Sequence, residues 1–98
     1  MAWRIVVQPN GYLARFSDIV DMFTHYDMTE SDAYDVCLDD LGRNDAKDKV
    51  SRGVSAGLQR FYDEIERIRL VHGDAKADEV VRVLSMHPRD RTEADVLD

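Results

Sequence analysis

Three histidines and one cysteine are the side chains of this 98-residue chain best suited to chemistry. His25 follows Asp21 by four residues and precedes Asp27 by two. On a helix that spacing lets a carboxylate share a divalent cation with the imidazole or tune it as a general base. No second ligand pair with zinc spacing accompanies it. His72 and His87 fall at expected helix ends, where a cationic ring is favoured by the helix dipole without any further role. Cys37 would be a nucleophile only with a base such as His25 brought beside it. Its place in an apolar helical stripe is that of a small hydrophobe. A single cysteine makes no internal disulfide and no zinc cluster, and fits a reducing, cytoplasmic setting. No Gly-rich phosphate loop and no His-Glu-x-x-His string occurs. The expectation is a protein that is not an enzyme, with no catalytic residue, no metal and no cofactor.

The carboxylates carry a stronger signal. Twenty acids against thirteen Lys and Arg give a net charge of −7, and the charge is uneven. Residues 1–17 sum to +2, residues 18–48 to −8 and residues 49–98 to −1. A field of that sign repels phosphate backbones and attracts basic protein surfaces. Asp32, Asp35, Asp39 and Asp40 are therefore the candidate partner-binding residues, facing a protein with a basic groove; the same acids serve equally as a solvated helix face. Direct nucleic-acid binding and membrane association are not expected. A competing arrangement is a helix-turn-helix, with Tyr34–Val36 in the first helix, a turn at Gly42, and Lys47, Lys49, Val50, Ser51 and Arg52 on a helix entering the major groove. Asp45 and Asp48 on that second helix, and a turn longer than usual, weigh against it. A third possibility is self-association through an unpaired strand edge, giving a homo-oligomer.

These residues need a scaffold, and the length supplies one domain with a slim core. Trp3, Ile5 and Val7 alternate with Arg4, Val6 and Gln8 at the period of a strand. Gln8-Pro9-Asn10-Gly11 is a turn, since Pro9 presets its φ and Gly11 takes a positive one. Tyr12, Ala14 and Phe16 then share a face, which completes a β-hairpin. Ser17 is suited to cap a short helix over 18–26 with Ile19, Met22, Phe23 and Tyr26 inward. Thr29 caps the next helix, with Asp32 near the capping-box position and Met28 and Ala33 as a hydrophobic staple. That helix buries Ala33, Tyr34, Cys37, Leu38 and Leu41 and ends at Gly42.

Asn44 opens a third helix carrying Ala46, Val50 and Val54. The cluster Gly53, Ser55, Gly57 reads as a break, although the apolar stripe also permits one long helix over 44–72. A helix over 58–71 buries Leu58, Phe61, Tyr62, Ile65 and Ile68 and stops at Gly73. A last helix opens at Asp74 or Asp78, turns Ala77, Val80, Val81 and Leu84 inward, and ends before Pro88. The fold class is thus α+β: an N-terminal hairpin and four to five short helices, mostly helical, in one domain over residues 1–87. Residues 88–98 are a charged tail expected to be frayed. No apolar run is long enough to span a bilayer, and no secretory signal opens the chain.

The N-terminal string Trp3-Arg4-Ile5-Val6-Val7-Gln8-Pro9-Asn10-Gly11, with Leu13-Ala14-Arg15-Phe16-Ser17-Asp18-Ile19-Val20-Asp21 and Phe23-Thr24, resembles a group of short acidic proteins encoded by bacteriophages and prophages of Gram-negative bacteria. The likeness covers roughly residues 3–42, including Met28-Thr29-Glu30 and Cys37, and is loose beyond. It implies an origin more than an activity, and it brings no catalytic residues. Small acidic phage proteins act in the host cytoplasm as accessory factors, some of them inhibitors of host defence, including anti-CRISPR proteins. The resulting expectation is a binding protein that inhibits or modulates a host protein by stoichiometric contact.

Overall fold

The computed structural model describes residues 2–97; Met1 and Asp98, the ends of the expected domain and tail, lie outside the described residues. Trp3–Val7 (β1), Leu13–Ser17 (β2) and Met22–Met28 (β3) form one antiparallel sheet in the order β1-β2-β3. The hairpin turn is built as its residues require. The Gly11 amide donates to the Gln8 carbonyl at 2.9 Å, and Gly11 takes a φ of +90°.

Residues opposite one another in the β1–β2 register share a face. Ile5 lies opposite Arg15 and Val7 opposite Leu13 on one side; Val6 lies opposite Ala14 and Arg4 opposite Phe16 on the other. Both sides are covered. On the first, Trp3, Ile5, Leu13 and Met28 pack with Ala33 and Cys37 of Glu30–Asp40 (α1) and with Ala46 and Val50 of Arg43–His72 (α2). On the second, Val6, Ala14, Phe16 and Phe23 pack with Phe61, Ile65 and Ile68 of α2 and with Ala77, Val80, Val83 and Leu84 of Asp74–Ser85 (α3). The sheet is therefore the middle of three layers, and α2 serves both outer ones.

To do so α2 passes around the outer edge of β1. It touches the strand at Gly53, where a Cβ atom would sit 2.5 Å from the Ile5 carbonyl oxygen. It then bends at Gly57, whose φ of +66° and ψ of −164° are not helical. The break expected in the Gly53–Gly57 stretch falls at Gly57, as a kink between the two halves of one continuous span, so the described residues hold three α-helices rather than four to five. Leu58 and Tyr62, expected inward, remain 42% and 44% exposed.

The largest departure from the sequence reading is at residues 18–26, expected as a helix. Asp18–Asp21 is a turn, with Asp21 at a φ of +51°, and β3 follows. Ser17 Oγ accepts the Ile19 amide at 3.2 Å, so the local bond that suits an N-cap closes a turn instead. Phe23 lies across from Phe16 in the register, edge to face at 5.3 Å, and stacks on Phe61 at 5.5 Å. Aromatic pairing across strands and onto α2 outweighs the weak helical stripe.

The start of α1 is as its residues dictate. Thr29 Oγ1 accepts the Asp32 amide at 3.1 Å, and Asp32 Oδ2 accepts the Thr29 amide at 3.2 Å. Gly42 is not a left-handed terminator. Its φ of −71° makes it the N-cap of α2, two residues earlier than Asn44. Gly73, at a φ of +95°, ends α2 and opens α3. After α3, Pro88–Asp90 and Glu93–Asp95 form two 3-10 turns where a frayed tail was expected. They are tied down because Arg91 reaches back to Asp27, Arg82 holds the buried Asp95, and the Leu97 carbonyl accepts the Tyr26 hydroxyl.

Candidate functional site

The ten acids of residues 18–48 separate into two sets. Asp18, Asp21, Asp27, Asp40 and Asp48 are each paired with an arginine, namely Arg4, Arg67, Arg91, Arg15 and Arg52. Four of these arginines stand before or far after the acidic stretch, so half of its acids are neutralised by residues the fold brings to them. Glu30, Asp32, Asp35, Asp39 and Asp45 have no cationic partner among the described residues. Four of these five belong to α1.

Of the predicted contact residues, Asp32, Asp35 and Asp39 recur at spacings of three and four, on one stripe of the helix. That stripe is exposed and opposite the buried Ala33 and Cys37. Asp32 is at the same time the capping-box residue. Asp40 is not part of the stripe. It falls to the flank beside β2, where its carboxylate meets Arg15 at 3.2 Å.

Arg15 belongs to a stack that sequence reasoning missed. Its guanidinium lies 4.3 Å from the centroid of the Trp3 ring, and the Lys49 ammonium lies 5.0 Å from the same centroid. Lys49 Nζ also donates to the Trp3 carbonyl at 3.2 Å. Burial pushes the Lys49 ammonium down from its ordinary range, and Arg4, Arg52 and Arg60 add to the push. No local pattern joins residues 3, 15 and 49. The one available signal was that Trp3 and Arg15 fall on the same face once the hairpin register is set.

The remaining candidates are accounted for structurally. Cys37 is buried, and burial pushes its thiol up. His25 is on β3 rather than on a helix with Asp21, and its Nδ1 meets Thr24 Oγ1 at 3.0 Å. His72 Nε2 meets the Val20 carbonyl at 3.2 Å, and His87 packs edge to face on Tyr12. Gly53-Val54-Ser55-Ala56-Gly57 has the Gly-x-Ser-x-Gly spacing of a nucleophile elbow, a motif that sequence reasoning overlooked in reading these glycines as a helix break. A working elbow is a strand-to-helix turn with a histidine at the serine. Here the string lies inside α2, and Ser55 hydrogen-bonds to no histidine among the described residues. No group of three or more His, Cys, Asp or Glu side chains among the described residues is placed to hold a metal ion.

One polar cluster gathers around the buried Gln8. Gln8, 1% exposed, donates to Asn10 Oδ1 and Asp27 Oδ1, both at 3.0 Å, and accepts the Asp27 amide at 2.6 Å. Arg91 binds the Asp27 carboxylate and donates to the Val83 and Met86 carbonyls. Burial pushes the Asp27 carboxyl up, but the bonds from Arg91, Gln8 and Asn10 outweigh it and hold it below the usual carboxylate range. With every partner satisfied, this network joins the hairpin loop, β3, the end of α3 and the tail.

Comparison with protein-family models, with curated proteins and with solved structures found no match to this chain.

Proposed function

We propose that this protein acts by stoichiometric contact, presenting the solvent face of α1 to a partner protein with a basic surface. The observation that supports this reading is the Asp32, Asp35, Asp39 stripe, left unpaired by cations while Asp18, Asp21, Asp27, Asp40 and Asp48 are neutralised by arginines. Exposed carboxylates on a rigid helix, with no counter-charge of their own, give complementarity and fast association with a Lys/Arg-rich groove. The resemblance of roughly residues 3–42 to phage and prophage proteins points to a host protein as the partner, and to inhibition or modulation as the outcome. A groove that normally binds nucleic acid, such as that of a defence complex, has the required charge. No helix among the described residues is long and apolar enough to cross a membrane.

The test is affinity capture from a Gram-negative lysate by the tagged protein and by an Asp35→Asn/Asp39→Asn variant, washed at low and high salt. Asp32 is kept because it caps α1. The expected result is one basic protein retained by the parent at low salt, released at high salt and lost by the variant. Equal retention by parent and variant would refute the α1 surface. A shift of duplex DNA at micromolar protein would instead favour the helix-turn-helix regulator, and a dimeric mass in solution the self-assembling one.

A further inference from the structure

Between the outer edge of β1 and the bend of α2 lies a small cavity of about 170 Å³, lined by Trp3, Arg4, Ile5, Lys49, Arg52 and Arg60. Every charged side chain in that lining is a cation, in a protein whose net charge is −7. Arg4 is shared with Asp18 and Glu64, and Arg52 with Asp48. Lys49 and Arg60 have no carboxylate partner among the described residues, and Lys49 is held on the Trp3 carbonyl. Carboxylates therefore offset Arg4 and Arg52, while Lys49 and Arg60 leave positive charge unbalanced in the recess, and burial adds a cost for the Lys49 ammonium. An anion in the recess relieves both terms.

We propose that this cavity is a binding site for a small phosphate-class oxyanion, inorganic phosphate or a phosphomonoester, with Lys49 and Arg60 as its direct ligands. Arg4 and Arg52 supply the surrounding field. Guanidinium forks and an ammonium match the several oxygens of a phosphate better than the two of a carboxylate. The volume is below that of drug-sized ligand pockets, so the phosphoryl group enters and the rest of any ester stays outside. A nucleobase finds no stacking surface, because the two cations Arg15 and Lys49 already lie against the Trp3 ring.

Trp3 is the chain's single tryptophan and lines the cavity, so its fluorescence reports occupancy directly. The intact protein is titrated with sodium phosphate, with glycerol phosphate, with sodium acetate and with sodium chloride at matched ionic strength, and its melting temperature is followed in parallel. The expected result is a saturable fluorescence change and a raised melting temperature with one or both phosphates, and neither with acetate or chloride. Stronger response to phosphate identifies the free ion as the ligand; stronger response to glycerol phosphate identifies an ester. Loss of one charge-assisted ligand should weaken binding about tenfold or more in Arg60→Gln, and likewise in Lys49→Gln. Lys47→Gln, exposed and outside the cavity, should titrate like the parent. An equal response to chloride would overturn the proposal. So would parental affinity in both Arg60→Gln and Lys49→Gln, each checked for a cooperative melt.

Discussion

Replacing Gly53 with alanine separates local from tertiary reasoning, because the two give opposite signs. In an exposed helix interior alanine is favoured over glycine by about 1 kcal/mol, so local propensity predicts a more stable protein. The fold predicts the reverse. At position 53 the new Cβ would lie 2.5 Å from the Ile5 carbonyl oxygen and 2.9 Å from the Ile5 carbonyl carbon and Cβ. Ordinary contact begins at 3.4 Å, so α2 must retreat from β1 by most of an ångström. The obstacle is backbone in a paired strand, which no rotamer change relieves. Overpacking of this kind costs about 1–3 kcal/mol, and a backbone obstacle belongs at the upper end. Setting about 3 kcal/mol against the propensity gain leaves a loss of about 2 kcal/mol. For a domain of this size that lowers the melting temperature by roughly 8–16 °C. Urea unfolding followed by Trp3 fluorescence, with a thermal melt by circular dichroism, reads both quantities. A Gly53→Ala protein as stable as the parent, or more so, would refute the account of α2 wrapping the β1 edge.

Gly57 should fail for a different reason, its φ of +66° with open space around it. Gly57→Ala and Gly57→Asn are both expected to cost about 1–3 kcal/mol, since a φ of +66° with a ψ of −164° lies outside the left-handed helical basin that asparagine tolerates; a urea midpoint at the parent's value for either variant would argue against it. Asp27→Asn keeps the positive φ of +59° but removes the charge facing Arg91, for an expected loss of about 2 kcal/mol at neutral pH. Because the Asp27 carboxyl is held below its unfolded value, its contribution is present above about pH 4 and is lost as pH falls through the folded value. Stability curves of parent and variant should therefore converge in acid, and parallel curves would contradict the pairing. Thr29→Ala, which opens the capping box, should cost about 1 kcal/mol in the same urea assay. Buried Cys37 should react with a thiol reagent only at the rate of unfolding; prompt labelling of the native protein would contradict its burial.

The features legible in the sequence are those set by bonds between near neighbours. Pro9, Asn10 and Gly11 dictate the hairpin turn, Thr29 with Asp32 dictates the start of α1, and Gly73 dictates the end of α2. In each case the donor, the acceptor and the required φ lie within four residues, so the chain carries the whole instruction locally. Residues 18–26 misled because Ser17 bonds to a following amide at a turn as readily as at a helix start. Their apolar positions also fit either period, and the choice was made by Phe16 and Phe61, neither of them inside the segment. The candidate sites belong to the tertiary structure for the same reason. That Asp32, Asp35 and Asp39 share a stripe follows from helical spacing alone. That they remain unpaired depends on Arg4, Arg15, Arg67 and Arg91 being drawn to other acids. The cationic recess depends on α2 bending at Gly57 and rounding β1 at Gly53, which brings Arg4 beside Lys49, Arg52 and Arg60. Spacing along the chain fixes what one helix or hairpin presents, whereas charge neutralisation and cavity formation are set by which distant segments the packing brings together.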